Sequence, residues 1–351
     1  MKKQSSNAEM EMLKCITEKF TRHPDQLNRL SEADAEIISF KHRTSDFLIL
    51  KIDGLYEELQ QGLYEDPYLI GWMSITVTIS DVAAVGANPF GVLMALQLPD
   101  TFLKDKRWYS FFLSGINDAC AEYGVYILGG DTNSGSALSV TTSAAATIDE
   151  GKPMMRSGIQ AGDLLYSTGK PGLGNAFAFS RFFDKKPDVV YQPKARLKES
   201  KVIKKFATAC IDTSDGLFPA LSVLSEINHI GFSLQQDTAN FVNIHAKNIC
   251  ASAKLPFWIM LAGPHGDYEL LFTIKPIDKD KFEEACHDAS IDFIEIGQVN
   301  SDQKIRFISE NNQIECGTAD IANLFLEANS DVKKYFDLLM KQHIIWHKKN
   351  K

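Results

Sequence analysis

The sequence predicts an α+β protein of two domains, and three observations carry that expectation. At 351 residues the chain exceeds what one hydrophobic core usually holds. Strand-like and helix-like segments alternate in both halves without the regular spacing of a doubly wound sheet. Residues 152–162 form a polar connector where the character of the chain shifts. The expected division is 1–150, 151–318 and a helical tail at 319–351.

Residues 8–30 place Met12, Leu13, Ile16 and Phe20 near helical spacing and predict a helical lead-in. Asp46 to Asp53 is a short apolar run fit for a buried strand that ends on an aspartate. After Asp66-Pro67, residues 68–86 predict a long helix of small residues, with proline suited to its first turn. Phe90 to Leu98 reads as a strand and Leu103 to Tyr123 as an amphipathic helix. Val125 to Leu128 is a strand running into Gly129-Gly130-Asp131-Thr132, and Ser139 to Ile148 is another.

Beyond the connector, Asp163 to Gly169 predicts the first strand of a second unit, followed by a helix from Asn175 to Phe183. Phe206 to Ile211 is strand-like and Asp215 to Asn228 helical. Tyr268 to Ile274 and Phe293 to Val299 are strands flanking a charged helix near Lys279 to His287. Ala319 to Trp346 is helical in pattern, with a frayed lysine-rich end.

A net charge of −8 argues against a nucleic-acid binder, which needs a clustered basic face. The six cysteines show no C-x-x-C pair, so buried reduced thiols are expected rather than a zinc site or disulfides. Cys210, just before Asp212, reads as a small core residue ending a strand. The N-terminus has no apolar stretch resembling a signal peptide, and no apolar run approaches the ~20 residues of a membrane span. A cytoplasmic protein is expected.

Five aspartates set among small or hydroxylated residues carry the chemistry: Asp53, Asp81, Asp131, Asp212 and Asp215. Such settings suit hard, oxygen-seeking cations such as Mg²⁺ and point to a nucleotide-using enzyme. Each also has a plainer reading. In Ile211-Asp-Thr-Ser-Asp-Gly-Leu217, Ser214 or Asp215 suits the cap of the following helix as well as Asp212 and Asp215 suit a metal. Gly129-Gly-Asp-Thr132 is a phosphate nest or, taken alone, a tight turn. Asp81 lies in an apolar helix where an unpaired carboxylate is costly to bury, which favours a ligand role. Asp53 alone is a turn residue, and Arg156 alone a surface arginine, though its guanidinium fits a phosphate. Gly169-Lys-Pro-Gly-Leu-Gly174 lacks the Gly-Lys-Ser/Thr of a Walker loop and reads as a strand-to-helix turn.

Taken in order, these pieces resemble the superfamily of aminoimidazole ribonucleotide (AIR) synthetase, selenophosphate synthetase and thiamine-monophosphate kinase, closest to the last. The motifs are Ile79-Ser-Asp-Val-Ala-Ala-Val-Gly-Ala-Asn-Pro89, Gly129-Gly-Asp-Thr132, Arg156-Ser-Gly158 with Gly162-Asp163, Ile211-Asp-Thr-Ser-Asp-Gly-Leu217 and Asp267-Tyr-Glu-Leu-Leu-Phe272. The resemblance implies AIR-synthetase-like N- and C-terminal domains, dimerisation through the N-terminal sheet, ATP bound between the halves and Mg²⁺ held by aspartates. It makes Asp53, Asp81, Asp131, Asp212 and Asp215 metal ligands, with Asp212 and Asp131 central to catalysis. Gly130, Asp131, Arg156 and Ser214 would touch ATP, and a small phosphorylated substrate would accept the γ-phosphoryl group.

The chain departs from that family pattern. Where a Gly-Asp-Asp is expected, Ile38 to Thr44 holds no acid, which sets activity against a non-catalytic nucleotide-binding role. Lys51-Ile-Asp53 replaces a Ser-Thr-Asp, so one metal site is expected to be lost, with Lys51 supplying charge instead. Pro264-His-Gly-Asp-Tyr-Glu269 puts Gly266 where the family has a substrate-contacting glutamate, which predicts a changed acceptor. An AIR-synthetase-like ATP-dependent synthetase or ligase is the other enzymatic alternative.

Overall fold

The computed structural model describes residues 27–29, 32–42, 45–99, 105–184, 188–235, 238–309, 312–317, 320–321 and 324–349. The helical lead-in expected at 8–30 lies outside them, except for Leu27, Asn28 and Arg29, which are not helical.

Strands β1 (Glu36–His42) and β2 (Ser45–Gly54) form an antiparallel pair. A short helix α1 (Tyr56–Gln60) leads to α2 (Pro67–Ala84). Asp66 caps α2 by accepting from Tyr68 N, and Pro67 opens its first turn. Then come β3 (Asn88–Leu98), α3 (Lys106–Tyr123), β4 (Tyr126–Ser134) and β5 (Ser139–Thr147). The resulting sheet has the order β1-β2-β5-β3-β4, with β3 and β4 parallel and the other pairs antiparallel.

Helix α2 is buried from Leu69 to Ala84, as an all-round apolar helix must be. Its small residues permit that burial. A Cβ on Gly71 would run into the Phe112 carbonyl of α3, and one on Gly115 into the Tyr68 carbonyl of α2. The helices therefore touch backbone to backbone at these points. Ala83 and Ala84 pack with the second half of the chain, where Ser200 Oγ donates to Ala83 O at 2.6 Å.

The second half contributes β6 (Leu164–Ser167), α4 (Leu173–Phe183), α5 (Leu197–Ile203), β7 (Ala207–Asp212), α6 (Leu217–Asn228) and β8 (Gly231–Leu234). After α7 (Thr238–Phe241) and α8 (Ile244–Ala253) come β9 (Leu270–Ile274), α9 (Lys279–Asp288), β10 (Ile294–Asn300), β11 (Lys304–Ser309) and β12 (Asn312–Gly317). The sheet order is β12-β11-β8-β10-β6-β9-β7, parallel only between β11 and β8. Two mostly antiparallel sheets with helices packed against them match the α+β class read from the sequence.

The tail forms α10 (Leu324–Glu327) and α11 (Val332–Lys349). The lysine-rich end expected to fray lies partly outside the described residues; ahead of it, the Trp346 ring lies tilted 4.7 Å from Trp258, whose Nε1 donates to His343 Nδ1 at 3.1 Å. Tyr335, Phe336 and Trp346 belong to the core of the second half. No helix among the described residues is long and apolar enough to cross a membrane. Cys210, Cys250, Cys286 and Cys316 are buried free thiols, as expected, whereas Cys120 is a half-buried one and Cys15 lies outside the described residues; burial pushes the Cys210 thiol upward, away from reactivity.

Candidate metal and nucleotide site

The seam between the two sheets gathers acids from three separate elements. Asp81 comes from the last turn of α2, Asp212 ends β7, and Asp34 lies just ahead of β1. One carboxylate oxygen from each lies within 4.8 Å of the others, and all three residues are buried. Ser80 Oγ, one residue before Asp81, donates to Asp212 Oδ2 at 2.6 Å and so ties the halves together. Ser214 Oγ donates to Asp212 Oδ1 at 3.1 Å.

Two cations share this cluster. Lys51 alternates along β2 with the exposed Leu50 and Ile52, so its side chain turns to the helix-covered face. Its Nζ lies 2.8 Å from Asp81 Oδ2 and 3.8 Å from Asp53 Oδ2. Arg156 pairs through Nη2 with Asp34 Oδ1. The connector is held there because Arg156 N donates to Glu32 O and Asn228 Nδ2 to Arg156 O.

Burial pushes the Asp81 carboxyl well above its usual range; Lys51 opposes that shift, while Asp212 and Asp53 add to it. Asp212 is raised for the same first reason, against the hydrogen bond from Ser80 and the charges of Arg156 and Lys51. For Lys51, burial alone would lower the pKa, but Asp81 and Asp53 outweigh it and the ammonium is held charged. Asp34 Oδ2 is buried with no hydrogen-bond partner. A buried, unsatisfied carboxylate oxygen beside two further carboxylates suits a hard divalent cation such as Mg²⁺.

Asp34 corrects one expectation. The upstream acid sought within residues 38–44 stands instead at Asp34, in Ala33-Asp34-Ala35. The small flanking residues resemble those around Asp81, which was the available signal. Asp53 reaches the edge of the cluster through Lys51, with its Oδ1 accepting from Gly54 N at 2.8 Å.

Asp215 is exposed on the turn before α6. Neither it nor Ser214 caps that helix: the cap position is Gly216, with φ of 87° and no side-chain bond, close against Gly263. The capping alternative is thus set aside, and Ser214 serves Asp212 instead.

Gly129-Gly130-Asp131-Thr132 is not a tight turn. The strand continues through it, and β3–β4 pairing sets Gly130 opposite Met94 and Asp131 opposite Ala95. A Cβ on Gly130 would strike the Met94 carbonyl, so close strand approach explains that glycine. Asp131 is exposed on this edge strand, accepting from Asn133 Nδ2 at 2.7 Å, and stands apart from the three clustered acids.

The other motifs build the framework. Asp267 accepts from Gly172 N and Gly174 N, both at 2.9 Å, so a carboxylate of the chain itself occupies the start of α4. That settles Gly169 to Gly174 as a structural turn. Glu269 receives Thr168 Oγ1 at 2.6 Å and the fork of Arg196, with Nε at 2.7 Å. Gly266 packs so tightly on Ser214 that a Cβ would meet its carbonyl, leaving no room for a glutamate.

Comparison with known proteins bears on the family and the fold. Residues 32–148 match the family model "AIR synthase related protein, N-terminal domain". The chain is 31% identical to a thiamine-monophosphate kinase of Methanospirillum hungatei over 263 residues, 74% of this chain and 83% of that one. It is 29% identical to the thiamine-monophosphate kinase of Escherichia coli over 248 residues, 68% of this chain and 74% of its relative. Among solved structures, AaThiL complexed with AMPPCP and TMP superposes with a TM-score of 0.69 at 21% identity, covering 85% of this chain and 92% of that one. The fold, the motif order and the level of identity together place this chain in the thiamine-monophosphate kinase family of AIR synthase related proteins.

Proposed function

We propose that this protein is an ATP- and Mg²⁺-dependent phosphotransferase that transfers the γ-phosphoryl group of ATP to the phosphate of thiamine monophosphate or of a closely related phosphorylated molecule. The observation that carries the reading is the convergence of Asp34, Asp81 and Asp212, with Asp34 Oδ2 buried and unpartnered. The printed name of the Methanospirillum relative and the AMPPCP and TMP held by the AaThiL structure support nucleotide and acceptor.

In this proposal Asp34, Asp81 and Asp212 hold Mg²⁺, and Asp53 and Asp215 flank it. Bound there, Mg²⁺ supplies neutralisation of phosphate charge, which phosphoryl transfer needs more than a covalent nucleophile. The protein orients its own ligands: Ser80 and Ser214 fix the two oxygens of Asp212, and Arg156 fixes Asp34. Arg156 and Ser214 are the groups on this seam offered to the nucleotide. Roles for Gly130 and Asp131 rest on the family resemblance alone.

A cytoplasmic homodimer completes the reading. The sheet face opposite α2 and α3 leaves Ile52 at 64% exposure and Leu93 at 51%, with Tyr126, Ile127 and Leu128 exposed on the edge strand β4. An uncovered apolar sheet face continued onto an open edge suits a second copy of the chain.

Incubation with ATP, Mg²⁺ and thiamine monophosphate, followed by chromatographic separation, tests the activity. Thiamine diphosphate and ADP should appear in equal amounts. ADP formed only with another phosphorylated acceptor would reassign the substrate. No ADP with any acceptor would reject the phosphotransferase reading.

A further inference from the structure

The feature that sets this seam apart is a lysine among its carboxylates. Lys51 reaches from β2 so that its ammonium lies between Asp81 Oδ2 at 2.8 Å and Asp53 Oδ2 at 3.8 Å. Asp81 belongs to the set proposed to hold metal, and Asp53 flanks it. A divalent ion needs oxygen ligands at ~2.0–2.1 Å for Mg²⁺, so it would claim the Asp81 lone pair that the ammonium already uses. Charge repulsion also opposes an ion beside Nζ at this distance. The ammonium and a divalent ion therefore exclude one another at the Asp53–Asp81 position.

The geometry points to Lys51 as a built-in cation that replaces one divalent ion between Asp53 and Asp81 and leaves the remaining metal position to Asp34, Asp212 and the shared Asp81. This rests on the reading of the seam as a metal and nucleotide site, and adds to it the division of labour among the acids. Asp34 lies on the other side of that division. Its Oδ1 is taken by Arg156, its Oδ2 is buried without a partner, and its carboxylate clusters with Asp81 and Asp212 but has no bond to Lys51 among the contacts described. The lysine carries one positive charge where the ion would carry two, and it cannot dissociate. The Asp53–Asp81 half of the site is thus set before any metal arrives.

Counting bound Mn²⁺ by electron paramagnetic resonance, on the full chain with saturating AMPPCP, tests the division. Lys51→Ser, which removes the ammonium and leaves a hydroxyl, should bind one more Mn²⁺ per chain than the wild type. Lys51→Arg, which keeps a cation, should bind the wild-type number. Equal numbers in wild type and Lys51→Ser overturn the inference while leaving the metal and nucleotide reading standing. No Mn²⁺ on the wild type overturns that underlying reading itself. If the serine variant does not fold, Lys51→Gln supplies a second measurement, because it keeps the length and loses the charge. Its melting temperature without metal should fall below the wild type and be restored by Mg²⁺; a loss that Mg²⁺ does not restore overturns the inference.

Discussion

Ser80 Oγ donates to Asp212 Oδ2 at 2.6 Å, joining a helix of the first half to a strand end of the second across 132 residues of sequence. The bond is buried and its acceptor is one of the three clustered carboxylates. Ser80→Ala removes the donor and leaves a buried carboxylate oxygen unsatisfied, which should destabilise the protein by about 2 kcal/mol. Urea denaturation with an unchanged m-value and a lower midpoint is the expected result. An unchanged midpoint contradicts the tie between the halves.

The fork of Arg196, at the start of α5, and the hydroxyl of Thr168, in the loop that follows β6, both hold Glu269 just ahead of β9. Arg196→Met strands a nearly buried carboxylate, since the Glu269 side chain is only 10% exposed. A loss of about 3 kcal/mol is expected. The double variant Arg196→Met with Glu269→Leu should recover much of it. A double variant no better than the single one shows that packing rather than charge is at stake.

His265 gives the protein an acid sensitivity of known sign. Its Nε2 is buried without a partner, and burial pushes its pKa down from 6.5 to about 4. The folded chain then stays neutral at His265 while the unfolded chain takes up a proton below pH 6.5. Stability from this residue is therefore intact above that pH and is lost as pH falls towards 4, by about 3 kcal/mol at most. His265→Gln should flatten the fall in melting temperature over that window; an identical pH profile removes His265 as its cause.

Gly130 is required by the close approach of β3. Gly130→Ala should lower the melting temperature, with a penalty of about 2 kcal/mol for forcing β4 away from Met94. Gly129→Ala meets only the Leu93 side chain, at 3.7 Å, and should perturb less. Equal losses would contradict close approach to Met94 as the reason for Gly130.

These contrasts show what the sequence makes legible. Asp81 stands out because a carboxylate inside an apolar run of small residues demands a partner, and Asp212 because it ends a strand beside Ser214 and Gly216. The α2 helix and the strands β2, β3 and β5 follow from local periodicity and turn residues. Asp34 was missed because its meaning depends on where β1 pairs, a long-range fact that local patterning does not hold. Gly129 and Gly130 read as a turn for the same reason: glycine signals a break locally, but here the parallel register with β3 demands it. Ser214 read equally well as a helix cap, and only the placement of the cap at Gly216 sets that reading aside.

Isothermal titration of AMPPCP into the wild type and Asp34→Asn, each with Mg²⁺ and with EDTA, tests the central claim most directly. The account predicts binding to the wild type that requires Mg²⁺ and weakens at least about tenfold in Asp34→Asn, equivalent to ~1.4 kcal/mol or more. Binding that is equal with and without Mg²⁺, or equal in the two proteins, contradicts it.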